Sequence, residues 1–91
     1  MNHIAGIDFE KSDKKLNDVY KKIAATLDAA GKEKLIASES AWLVYRETQA
    51  EFEADYFARG GNMATLIYSE ARARITDTRI KELKDALSVK E

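Results

Sequence analysis

Ninety-one residues, 45% of them hydrophobic and 34% charged, suit one small globular domain over 1–91 and leave no room for a second core. Fifteen Lys and Arg stand against sixteen Asp and Glu, a net charge of −1. The cation surplus that displaces counterions from phosphates is missing, so nucleic acid is not an expected partner. Cysteine is absent and histidine occurs once, at His3. That excludes thiolate metal sites and Ser–His–acid or Cys–His catalysis, and no loop spaces acids as a calcium site does. No metal or cofactor is expected. No apolar run nears the ~20 residues that span a bilayer. Met1 to Glu10 lacks the basic-then-apolar order of a signal peptide, which leaves open a cytosolic chain or one that follows a removed leader.

Proline is absent, and glycine falls only at Gly6, Gly31, Gly60 and Gly61. The chain between those positions reads as helix, so the expected fold is all-α, an antiparallel three-helix bundle. The first helix should run from about Asp8, as N-cap, to Ala30, with Leu16, Val19, Tyr20, Ile23, Ala24 and Leu27 at helical spacing. Gly31 suits the left-handed position after it. The second helix, 32–58, carries Leu35, Trp42, Tyr45, Phe52 and Tyr56 as its apolar stripe, and Gly60-Gly61 end it. Asn62 can cap the third, 63–88, with Ile67, Ala71, Ile75 and Leu83 facing inward.

If the chain reverses at its glycines, residues equally far from a turn share a height. About Gly60-Gly61 this places Ala50 level with Ala71, and Trp42 level with Arg79. About Gly31 it places Trp42 level with Tyr20, and Arg46 level with Leu16, within a turn of Asp13 and Asn17. An indole at that height centres the core, with Arg79 over its face. Arg46 follows Trp42 by one helical turn, and a partly buried guanidinium needs acceptors. The expected network is Asp13–Arg46–Asn17, tying the first helix to the second. The other reading is that Arg46 is exposed and grips a partner's carboxylate.

Glu47, Glu51 and Asp55 repeat at i, i+4 and i+8, where like charges repel, so compensation is expected. Arg72 and Arg74, or Lys14 and Lys21, can provide it; so can a basic protein docking on an acidic ridge. Tyr56, Phe57 and Tyr68 gather near the Gly60-Gly61 turn, either to close the hairpin or to anchor a partner. Lys14, Lys15, Lys21 and Lys22 read as a solvated strip. Glu39 and Glu82 share a height across the second turn, which would allow a carboxylate pair. Nothing suggests a pocket around it, so an enzyme is not expected.

The pattern Asp13-x-x-Leu16-Asn17-x-x-Tyr20, then Ala41-Trp42-x-x-Tyr45-Arg46-Glu47, Gly60-Gly61 and Thr76-x-x-Arg79-x-x-x-Leu83 resembles the lysozyme inhibitor LprI N-terminal-domain family. The resemblance runs from Met1 to Leu83. It implies a small helical domain of the bacterial envelope that binds protein, in some members a lysozyme. Such a function gives the ridge at Glu47, Glu51 and Asp55 a basic hydrolase to meet. The family usually has cysteine where this chain has Ile4, Ala50 and Ala71, so the resemblance implies a lost disulfide between the second and third helices. Without that staple, packing or a homodimer burying Tyr56 and Phe57 must supply stability. The resemblance points to the periplasm or outside the cell, whereas the lack of cysteine and of a visible leader suits the cytoplasm. The family also normally extends a few residues before Met1.

Overall fold

The computed structural model describes the backbone of residues 2–90 and side chains from residue 9 to residue 90. It is a three-helix bundle: α1 spans Asn2–Ala24, α2 Ala29–Ala58 and α3 Ala64–Lys90. The body is elongated, 47 × 21 × 17 Å. α3 packs along both other helices, parallel to α1 and antiparallel to α2, whereas α1 and α2 approach only over a short stretch. The expected cap at Asp8 is overridden, since helical backbone already runs from Asn2. The side chains of His3 and Ile4 lie outside the described residues.

The first reversal comes earlier than Gly31. Thr26 turns its hydroxyl onto the Ile23 carbonyl, 2.7 Å away, and the backbone tightens through Thr26 N–H to Ile23 and Leu27 N–H to Ala24. A threonine that hydrogen-bonds the preceding turn competes with helix continuation. Asp28 then starts α2: its backbone is extended and its carboxylate accepts the Gly31 N–H at 2.8 Å. Gly31 is therefore the third residue of α2, the position an N-cap side chain reaches, and not the end of α1. A Cβ there would lie 3.2 Å from both the Asp28 carboxylate and Leu27, so glycine keeps the cap uncrowded. Leu27 belongs to the connection rather than to the α1 stripe.

The second reversal falls where expected. Gly60 holds φ +69°, a left-handed backbone that glycine adopts without the steric cost of a Cβ. α3 begins at Ala64, so its cap position is Met63 rather than Asn62.

Leu16, Val19, Tyr20, Trp42, Ile75, Ile80 and Leu83 form the core, with Leu35 and Ile23 against it. Leu66, Ala71 and Thr76 are also buried. The largest departure is on α2. Its buried residues are Trp42, Arg46, Ala50 and Ala54, one every four residues. At 3.6 residues per turn each such step advances the buried face by about 40°. Past Trp42 the buried line rotates away from Tyr45, Phe52 and Tyr56, which stand 52, 56 and 70% exposed. The stripe expected in the core is thus mostly surface, and the second half of the seam is lined by alanine. Ala50 and Ala71 are both fully packed in it.

Candidate partner-binding surface

Aromatic and guanidinium groups alternate through the bundle. Arg72 lies 5.0 Å from the Tyr68 ring centre and 3.8 Å from that of Phe9. Arg46 lies 4.8 Å from Phe9 and 5.1 Å from Trp42, and Arg79 lies 5.8 Å from Trp42. Three cations and three rings drawn from all three helices thus make one ladder. Attraction of each cation to the ring quadrupole strengthens as water is excluded. Arg46, 5% exposed, sits at the centre. Its Nη1 donates to Asp13 Oδ1 at 3.1 Å and to Thr76 Oγ1 at 3.4 Å, and its Nη2 donates to Glu47 Oε1 at 3.0 Å. Its Nε has no acceptor among the described residues and lies among ring faces instead. Arg79 closes the far end, donating through Nε to the Tyr20 hydroxyl and through Nη2 to Ser38 Oγ.

Of the network expected from sequence, Asp13, Arg46, Trp42, Tyr20 and Arg79 are brought together. Asn17 is not. It faces solvent, and Thr76 from α3 takes the place assigned to it. The cause is the early first reversal, which sets Arg46 against Asp13, nearly a turn before Leu16. Phe9, Thr76, Arg72 and Tyr68 complete the ladder without being part of the expected network. A signal for part of it was present: Trp42-x-x-x-Arg46 and Tyr68-x-x-x-Arg72 repeat an aromatic one helical turn before an arginine.

The acidic residues of α2 divide into two groups. Glu47 does not stand free on a ridge: besides Arg46, it meets Arg72 Nε at 3.1 Å and accepts the Tyr68 hydroxyl at 2.9 Å. The Arg72 contact is an ion pair whose angle leaves that N–H without a hydrogen bond. Burial pushes the Glu47 carboxyl pKa up, but the Tyr68 hydroxyl and the two guanidiniums outweigh it, and the net shift is down. Tyr68 moves up, through burial and then through its bond to Glu47. Glu53 is held from α3 by both ends of Arg74, Nη1 to Oε1 at 3.0 Å, which lowers its pKa. Compensation through Arg72 and Arg74 is therefore what these two acids receive. Glu51 and Asp55 are exposed and make no ion pair among the described residues.

Beside those two acids the aromatics form a surface cluster. Phe52 and Tyr56 rings stand 5.5 Å apart, and Tyr56 meets Phe57 edge-on at 5.1 Å. Tyr56 and Phe57 are 70 and 67% exposed, so they do not close the hairpin; the half-buried Tyr68 belongs to the ladder. Glu82 borders a shallow depression with Trp42 and Tyr45, and Glu39 is not part of its lining. No group of His, Asp and Glu able to hold a metal occurs among the described residues, and no helix there is long and apolar enough to cross a membrane.

Comparison with known proteins places this surface in context. A family profile described as lysozyme inhibitor LprI matches residues 1–83. A Rhizobium meliloti (strain 1021) protein, itself described as uncharacterized, is 31% identical over 104 aligned positions, covering 100% of this chain and 74% of its own length. No solved structure matches.

Proposed function

Because the chain belongs to the lysozyme inhibitor LprI family, we propose that it is a non-catalytic binding domain that occludes a basic cell-wall hydrolase of the lysozyme type. The observation that carries this reading is the outer face of α2: Phe52, Tyr56 and Phe57 exposed together, flanked by Glu51 and Asp55, which make no ion pair among the described residues. Contiguous exposed aromatics on a small protein mark a surface that another molecule covers. Two such carboxylates beside them attract a cationic partner and repel an acidic one. Glu47 takes no part in this contact, since its charge is spent inside the bundle. The docking group is therefore Glu51, Asp55 and the three rings, rather than the Glu47, Glu51, Asp55 ridge.

The test is inhibition of a basic lysozyme by the full chain, with and without Glu51→Lys/Asp55→Lys. The unaltered chain inhibits, less so at high salt, and the charge-reversed pair loses about tenfold or more in potency while remaining folded. Equal inhibition by both would remove the acids from the mechanism, and no inhibition by either would refute the reading.

The same exposed rings support a second reading, a homodimer that buries Tyr56 and Phe57. Sedimentation separates the two: a concentration-independent monomer eliminates the dimer.

A further inference from the structure

Six residues of α2 recur in alternating steps of four and three: Ser38, Trp42, Tyr45, Gln49, Phe52 and Tyr56. That is the spacing of a seam along which one helix meets another. The buried line of α2 turns away from it, from Trp42 through Arg46 and Ala50 to Ala54. Ser38, Tyr45, Phe52 and Tyr56 are exposed, and Gln49 is half-buried. The seam thus has the periodicity of a helix contact, yet its large side chains stand in water.

The seam complements itself when two copies run antiparallel. Its C-terminal half is bulky, with Phe52 and Tyr56, whereas the outer N-terminal half is small, with Ala37, Ser38 and Ala41 all exposed. Reversing one copy sets each bulky half against a small one. The charges agree. Lys34 and Asp55 lie three heptads apart, hence on the same flank of the seam, and neither makes an ion pair among the described residues. When Tyr45 faces the partner's Trp42, Gln49 faces the partner's Ser38 and Asp55 comes beside the partner's Lys34. Two-fold symmetry makes each of these contacts twice.

The incoming Tyr45 has a place to go. Between α2 and α3 lies a hollow of about 400 Å³, bordered by Trp42, Tyr45, Arg74, Ile75, Thr78 and Glu82. A phenol ring there covers the indole edge and Ile75, and Thr78 and Glu82 offer acceptors for its hydroxyl.

We infer that the chain pairs with a second copy of itself along α2, antiparallel, with each Tyr45 in the other's hollow and each Lys34 beside the other's Asp55. The inference rests on the homodimer given above as the second reading, and it moves the contact from Tyr56 and Phe57 toward Tyr45 and Phe52. Phe52 then lies in both contacts, so pairing and hydrolase binding exclude each other.

Sedimentation equilibrium of the full chain and four variants is the test. The unaltered chain should dimerise at a concentration on the order of 100 μM, as expected of a small interface. Lys34→Glu alone and Asp55→Lys alone should each weaken the dimer about tenfold, since each turns two attractions into two repulsions. Lys34→Glu/Asp55→Lys should restore it to within about twofold, which a merely general charge effect would not do. Tyr45→Ala should weaken it about tenfold. All four should unfold as the unaltered chain does when dilute, because these side chains are exposed. A dimer that ignores Tyr45→Ala, or that the charge exchange fails to restore, would overturn this pairing while leaving the homodimer reading in place. A monomer at every concentration up to about tenfold above that level would overturn both.

Discussion

α2 carries two sets of acids and aromatics that meet opposite fates. Trp42 and Glu47 join the ladder, where each ring faces a guanidinium and the carboxylate receives two hydrogen bonds and an ion pair. Ten residues further along, Phe52, Tyr56, Glu51 and Asp55 offer the same chemical groups to solvent. Composition does not distinguish the two halves. The rotation of the buried line does: as it steps through Arg46, Ala50 and Ala54, small residues take the seam and the large ones are left outside. The inner set should therefore govern stability and the outer set binding.

The largest effect should come from the centre of the ladder. Arg46→Ala removes the cation between Phe9 and Trp42 and strands Asp13 and Glu47 beside each other. A loss of about 3 kcal/mol or more is expected in urea unfolding, the range seen when one partner of a buried pair is deleted. A loss under about 1 kcal/mol would mean that the inner set does not govern stability.

Ala50→Cys/Ala71→Cys probes the alanine seam. Both positions are fully packed and equally far from the second turn, and they are where the resemblance implies a lost disulfide. Oxidation of the pair should raise stability by about 3 kcal/mol through loop closure. Failure to form the bond under mild oxidant would show that the seam is wider there than two packed alanines imply.

Glu47→Gln should cost about 1 kcal/mol, the usual value of hydrogen bonds to a charged group partly open to water. Its pH signature is the sharper check. Glu47 and Glu53 both titrate below their ordinary 4.5 in the folded chain, so the folded state releases their protons more readily than the unfolded state does. Their contribution is complete above about pH 4.5 and is lost as the pH falls through the lowered folded values. Unfolding midpoints followed from pH 7 downward should stay level to that point and then drop. The drop should be shallower in Glu47→Gln.

The smallest stability effect belongs to the outer set. Phe52→Ser/Tyr56→Ser should change unfolding by less than about 0.5 kcal/mol, because both rings are mostly in water. The same variant should lose most of its lysozyme inhibition.

Much of this was legible in the residues. Helical spacing and the Gly60-Gly61 turn placed Trp42 beneath Arg79 and Ala50 level with Ala71, because antiparallel helices joined by a short turn keep height. Gly31 misled because glycine serves both ends of helices. The competing signal, Asp28 immediately before a helical run and Thr26 two residues earlier, marks a start rather than a stop. Asn17 lost its place to Thr76 as a direct consequence. The exposed aromatics were harder to foresee. A stripe of Leu35, Trp42, Tyr45, Phe52 and Tyr56 looks like one face until the crossing of α2 over α3 is known, and that crossing depends on all three helices at once.

Where a hydrolase touches the chain separates the outer set from the inner one most directly. Chemical shifts of the isotopically labelled protein, followed as a basic lysozyme is added, should move at Glu51, Phe52, Asp55, Tyr56 and Phe57 and stay still at Asp13, Arg46 and Thr76. Shifts centred on the ladder, or none at any lysozyme concentration that inhibits, would contradict it.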